Sequence, residues 1–268
     1  MFKLYVDPAA DDITILTCGM LATVEAWDGL CAAWNDVLAE PPSLPHWHAS
    51  DAWARQPPFD KLTREEREYK EKSLANVILD IQPRPFALSA HMLRATFDKH
   101  VKGKMRVPRS SETKSRHKTI ERLLSWEHAV GVNGVLAGLT ILLEQTGIKD
   151  DVHVVFESDN DERDAFVHGI GQLMPHFLKQ LDSPAKDQIK GITASRGKRK
   201  ETRPLEAADL YAWCRLRNLS KRNGPEVIQL AGERLPPVWE YELTSEKMDA
   251  RVQGFMRDAW GNKGQAPR

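Results

Sequence analysis

The run Val152 to Phe156, followed at once by Glu157, Ser158, Asp159, Asn160, Asp161 and Glu162, constrains this chain more than any other stretch. A continuous run of β-formers bounded by a cluster of acids predicts a buried strand that delivers carboxylates to one edge of a sheet. Open α/β sheets hold their ligands beyond the ends of such strands. The expectation is a strand at the middle of the fold, with Glu157 as one of three acids meeting at its end. The other two are Asp7 and Asp209.

The remaining segments alternate between strand and helix patterns. Phe2 to Val6 is a compact β-run, expected to stop at Asp7-Pro8 because proline cannot donate to a ladder. Ile13 to Leu21, rich in β-branched residues, pairs with it as a hairpin across a short polar turn. Thr23 reads as an N-cap for a helix to Leu38, with Trp27, Leu30, Trp34 and Leu38 at helical spacing; its tryptophans, like Trp213, read as core. A second helix, Thr63 to Leu79, carries a capping box in Thr63 and Glu66. Its charge-dense REEREYKEK reads as a solvated face.

Arg84 to Met92 is a third strand candidate, and Thr96 to His117 is a basic, weakly hydrophobic stretch. Ser115 to Gln145 reads as helical, with Gly131, Gly134 and Gly138 suited to close helix-to-sheet packing and Gly147 as its stop. After the acid-tipped strand come a helix from Asp161 to Leu181, a short strand from Ile189 to Ala194 and the basic loop Ser195 to Pro204. A strong helix from Pro204 to Leu219 follows, and Val238 to Leu243 reads as an edge strand. The fold class is α/β: a mixed sheet flanked by helices. Residues 1–222 form one domain, with 61–117 as a helical and basic insertion before the acid-tipped strand. Residues 223–268 are an extension whose end, from Lys263, is expected to be disordered.

Composition removes several classes of function. Lys and Arg total 38, as do Asp and Glu, so only local basic segments can support contact with nucleic acid. Three scattered cysteines form no CxxC pair, so neither a disulfide framework nor a cysteine zinc site is indicated. No apolar run approaches the ~20 residues of a membrane span, and the N-terminus does not read as a signal peptide. A cytoplasmic protein is expected. Phosphate loops of the GxGxxG and GxxxxGK[ST] kinds and a GxSxG elbow are absent from the sequence.

The acids carry the chemistry. Asp209 lies in LEAADLYAW, among apolar helix residues where burial is costly without a cation or donor partner. Taken singly, Asp7 also suits a turn and Glu157 a solvated strand end. Jointly, the three supply the hard oxygen ligands that Mg²⁺ or Mn²⁺ takes, and such ions serve phosphodiester cleavage. His46 and His48, two apart, read as surface or supporting histidines rather than ligands. Lys198, Arg199 and Lys200, just before the Asp209 helix, suit substrate phosphates.

With YVD ending the first strand, the VHVVFE strand end, the HASD tract at His48 to Asp51 and the S…K…LEAADLYA block, the chain resembles domain-of-unknown-function family 3800. The resemblance runs in order from about Phe2 to Leu219. It implies a ribonuclease-H-like fold and an acid triad falling on Asp7, Glu157 and Asp209. It also implies a serine–lysine pair at Ser195 and Lys198, and a role near substrate for His48. Two departures stand out. Pro8 replaces a residue that is commonly acidic in the family, and Glu206 stands where glutamine is common. The activity implied is a metal-dependent nuclease; the alternative is a degenerate module that binds nucleic acid or a protein partner.

Overall fold

The structure, a computed structural model, describes residues 1–100, 129–157, 183–195, 202–220, 234–235, 237 and 239–247. Six strands form one sheet: β1 (Phe2–Ala10), β2 (Thr14–Thr23), β3 (Phe86–Leu93), β4 (Val152–Glu157), β5 (Ile189–Ser195) and β6 (Trp239–Glu242). Their order is β5-β4-β1-β2-β3-β6. The β1, β2 and β3 strands form an antiparallel meander, while β4 and β5 continue parallel to β1 and β6 runs parallel to β3. The helices are α1 (Val24–Ala39), α2 (Ala49–Ala54), α3 (Arg64–Asp80), α4 (Arg94–His100), α5 (Ala129–Thr146) and α6 (Arg203–Leu219). The class is therefore α/β, a mixed sheet with helices on both faces.

Two sequence expectations change. The acid-tipped strand β4 is interior but not central; β1 and β2 occupy the middle. Its unbroken apolar run reflects cover on both faces and a neighbour on each side, which does not require the central position. Nor does β1 stop at Asp7-Pro8. It continues to Ala10, with Asp7 opposite Cys18 and Pro8 opposite Thr17 on β2. The reason lies on the other flank, where pairing with β4 ends at Val6–Phe156. Beyond that point β1 has a neighbour on one side only, where proline is tolerated.

Local signals set the starts of α1 and α3. The Thr23 side chain accepts from the Ala26 amide at 3.2 Å, and α1 then buries Trp27, Leu30, Trp34 and Leu38. Trp27 Nε1 donates to the Lys3 carbonyl at 3.0 Å, tying the helix to β1. Thr63 and Glu66 form the reciprocal capping box of α3. The REEREYKEK segment is not wholly solvated, however: Lys70 and Glu71 are buried. Lys70 Nζ donates to the carbonyls of Val37 and Glu40, serving the C-terminal end of α1. Of the stretch 61–117, α3 and β3 belong to the body of the fold; residues 101–117 lie outside the described residues.

Alternation along the strands sorts the core into two layers. Leu4, Val6, Val154 and Phe156 face α5. Tyr5, Cys18 and Val155 face the opposite side, covered by α1, α3 and α6. On the α5 side, glycines allow close approach. A Cβ on Gly131 would meet Thr17 Oγ1 at 2.3 Å, and one on Gly138 would meet Trp239 Cδ1 at 1.9 Å. Gly147, at φ +68°, takes the left-handed turn just past the helix. The helix expected over Asp161 to Leu181 lies outside the described residues, as does the end from Lys263.

Candidate active site

One step past the last β1–β4 pair, Val6–Phe156, come Asp7 on β1 and Glu157 on β4. Because Val6 and Phe156 face α5, alternation turns Asp7 and Glu157 to the other side, toward α6. Asp209 sits in that helix, which lies against β1 and β2. Asp7 is buried, at 4% exposure, while Glu157 is half-buried. The three acids thus issue from two adjoining parallel strands and the helix over them, on one face of the sheet.

Asp209 is fixed by α2. Its Oδ2 accepts from the Ala49 amide at 2.7 Å, and its Oδ1 lies 4.0 Å from His48 Nε2. His48 Nδ1 is 2.8 Å from Asp51 Oδ2. The histidine therefore lies between two aspartates. Burial pulls its pKa down, but the charges of Asp209 and Asp51, the Asp51 hydrogen bond and the Glu157 charge outweigh it, and the net shift is upward.

A buried polar network positions this segment. Glu206 Oε2 accepts from Trp34 Nε1 and from the Trp47 amide, both at 2.9 Å, and its other oxygen pairs with Arg203 Nη1. Arg203 also donates to Asn35 Oδ1 at 2.9 Å and to the Pro45 carbonyl at 3.0 Å. Helix α6, helix α1 and the loop leading to His48 are thereby joined. Burial is the largest influence on Glu206 and pushes its pKa up to about 7, against the pull of the Trp47 amide, Arg203 and Trp34. Arg203 is a buried member of this network rather than part of a solvated basic loop. The sequence offered one local signal: Arg203 and Glu206 are three apart at a helix start, where their side chains meet. The loop partners had no local signal.

Ser195 ends β5 with its backbone opposite Glu157, so the chain toward Lys198 leaves the sheet beside that acid. Lys198, Arg199 and Lys200 themselves lie outside the described residues, as do Asp159 and Asp161. Among the described residues, no three His, Cys, Asp or Glu side chains are gathered closely enough to hold a metal ion. Carboxylate oxygen is the donor type that Mg²⁺ and Mn²⁺ take, and the three acids lie on one face of the sheet.

Among the described residues, no helix is long and apolar enough to cross a membrane. The fold and the site define a mixed-sheet α/β protein with one carboxylate within β1, just past its last pair with β4, and another at the end of β4. No protein-family model matches the chain, and no curated protein matches it.

Proposed function

We propose that the protein is a divalent-metal-dependent phosphodiester hydrolase of ribonuclease-H-like architecture, acting on nucleic acid in the cytoplasm. The observation that supports this reading is the placement of Asp7, Glu157 and Asp209 on one face of the sheet, from strands β1 and β4 and the overlying helix. A sheet that begins with a central strand, antiparallel to the second and parallel to the fourth, supports the architecture. So does the family 3800 resemblance at the same three acids.

In this reading Asp7, Glu157 and Asp209 hold Mg²⁺ or Mn²⁺. A divalent ion bound there activates water and stabilises the leaving oxygen of a phosphodiester. The pairing of β1 with β4, which ends one residue earlier at Val6–Phe156, brings the backbones of Asp7 and Glu157 into neighbouring positions. The Ala49 amide aligns Asp209, and His48 flanks it without being a ligand. Ser195, opposite Glu157, and the following Lys198, Arg199 and Lys200 of the sequence meet the substrate's phosphates in this reading.

A second reading is a ribonuclease-H-like module that binds nucleic acid or a protein partner without cleaving. It is favoured by the absence of a gathered three-ligand set among the described residues and by Pro8 beside Asp7. Thermal melting in Mg²⁺ or Mn²⁺ separates the two. An ion that binds only the folded state raises the melting temperature, and Asp209→Ala removes the rise. A wild-type protein indifferent to both ions defeats the hydrolase reading. Labelled single- and double-stranded RNA and DNA then report cleavage. Activity persisting in both Asp7→Ala and Asp209→Ala rejects the assigned roles.

A further inference from the structure

Beside the acids lies a cavity of about 410 Å³. Its lining combines Trp47, Trp53 and Trp213, Ala49 and Ala52 of α2, and a polar set of three arginines, Arg55, Arg64 and Arg67, with two carboxylates, Glu68 and Glu71. This volume falls in the range of sites for small molecules, and lining that is aromatic with a few placed polar groups is typical of them. Ala49 connects the two features. Its amide grips Asp209 while its residue lines the cavity.

The aromatic wall is rigid. Arg217 Cζ lies 4.5 Å from the ring centroids of both Trp53 and Trp213, and those rings are 6.3 Å apart. Cation–π contact holds the pair in place, yet Trp53 remains 43% exposed. A large, fixed and partly bare indole is a stacking surface that the fold itself does not consume. The polar wall is also incompletely used. Trp47 Nε1 and Arg67 Nε are buried and find no acceptor among the described residues. Arg67 Nη1 is held by the Ala52 carbonyl at 2.9 Å, and Arg64 Nε by Glu68 at 2.7 Å, leaving further guanidinium donors. Planar guanidinium forks match the oxygens of phosphate as they do those of carboxylate. Indole beside guanidinium matches a planar heterocycle that carries a phosphate, and the three arginines Arg55, Arg64 and Arg67 outnumber the carboxylates Glu68 and Glu71 in the lining.

We propose that this cavity seats one nucleotide unit, its base on Trp53 and its phosphate on Arg64 and Arg67, next to the Asp209 side of the acid site. The ligand class rests on the nucleic-acid reading above; the cavity and its walls do not. As part of a strand, the nucleotide would be anchored while a neighbouring phosphodiester reaches the acids. The same chemistry would also take a free mononucleotide, and the experiment separates the two sources.

The full-length protein is tested in EDTA, so that cleavage plays no part. Fluorescence anisotropy follows a fluorescein-labelled oligothymidylate, with thymidine monophosphate and thymidine as competitors. Trp53→Ala should weaken the oligonucleotide about tenfold, as expected for loss of one stacked base. Tyr69→Ala, at an exposed aromatic outside the cavity, should leave binding unchanged. Arg64→Met, at an exposed position, should erase the advantage of the monophosphate over the nucleoside. Circular dichroism confirms folding, and Trp53→Phe should restore most of the binding. Equal affinity in wild type, Trp53→Ala and Arg64→Met overturns the inference, as does failure of both the oligonucleotide and the monophosphate to bind. Trp53-dependent binding of the monophosphate, with no binding or cleavage of oligonucleotides, upholds the cavity and rejects the nuclease. Metal-dependent cleavage with binding indifferent to Trp53 and Arg64 does the reverse.

Discussion

The amide of Ala49 donates to Oδ2 of Asp209 at 2.7 Å, across 160 residues of sequence. Ala49 is buried, so its N–H has no water to fall back on. Removing the acceptor with Asp209→Ala should destabilise the protein by about 1–3 kcal/mol, the cost of a stranded buried donor. Asp209→Asn retains an oxygen at that position and should cost clearly less. Urea unfolding of the two variants, without added metal, measures this. Equal loss in both would show that the Ala49 bond contributes nothing, and would leave the metal role to be judged separately.

Lys70 offers a second test. Its ammonium group serves the Val37 and Glu40 carbonyls from inside the protein, with Glu40 at 2.7 Å. Lys70→Met keeps the length of the side chain and removes both bonds, stranding carbonyls at the end of α1. Stability should fall by about 1–3 kcal/mol. By contrast Lys72→Met, two positions along the same helix and exposed, should change little. Matching unfolding curves for the two variants would contradict this role.

These two residues also mark how far the sequence could be read. Thr23, the Thr63–Glu66 box and Gly147 announced their helix ends because a cap is written within a few residues of its partner. The strands beginning near Phe2, Thr14, Val152 and Ile189 were legible for the same local reason. Lys70 and Glu71 were not, because their charged neighbours read as solvated and their burial depends on α1 arriving from elsewhere. The passage of β1 through Pro8 depends on where β4 stops pairing, at Phe156. Of the candidate site, Glu157 at the end of its strand and Asp209 in an apolar helix were legible, whereas Asp7 lies within β1 and not at its end. The cavity was not: Trp53, Arg67 and Trp213 lie far apart in sequence, and only the packing of α2, α3 and α6 brings them together.

Gly138 and Gly29 predict opposite outcomes for the same substitution. In α5, a Cβ on Gly138 would fall 1.9 Å from Trp239 Cδ1, a ring already stacked on Tyr241. Gly138→Ala should therefore cost about 1–3 kcal/mol or more through overpacking, and loosen the edge strand β6. Gly29 lies exposed within α1 with nothing within 4 Å of its Cβ. There alanine should stabilise by about 0.5–1 kcal/mol, through lower unfolded-state entropy and better helix propensity. Thermal melting tests both signs, and hydrogen exchange at Trp239 to Glu242 tests the loosening.

Glu71 ties stability to pH. It is buried in α3 at 8% exposure, and burial raises its pKa from 4.5 to about 7. The charge of Glu68 acts in the same direction, while Arg67 and Arg217 oppose it. The folded protein therefore keeps the Glu71 proton through a range in which the unfolded chain has released it. For a raised carboxyl, the stabilisation is complete below about pH 4.5 and is lost as pH rises to about 7. The whole effect is at most about 3 kcal/mol. Glu71→Gln holds the site neutral at every pH. It should match the wild type near about pH 4.5 and exceed it in stability at about pH 8, by up to that amount. Other carboxylates titrate across the same window, so the quantity to measure is the difference between the two proteins in urea unfolding. A difference that stays constant from acid to alkaline pH would mean that Glu71 ionises freely in the folded state.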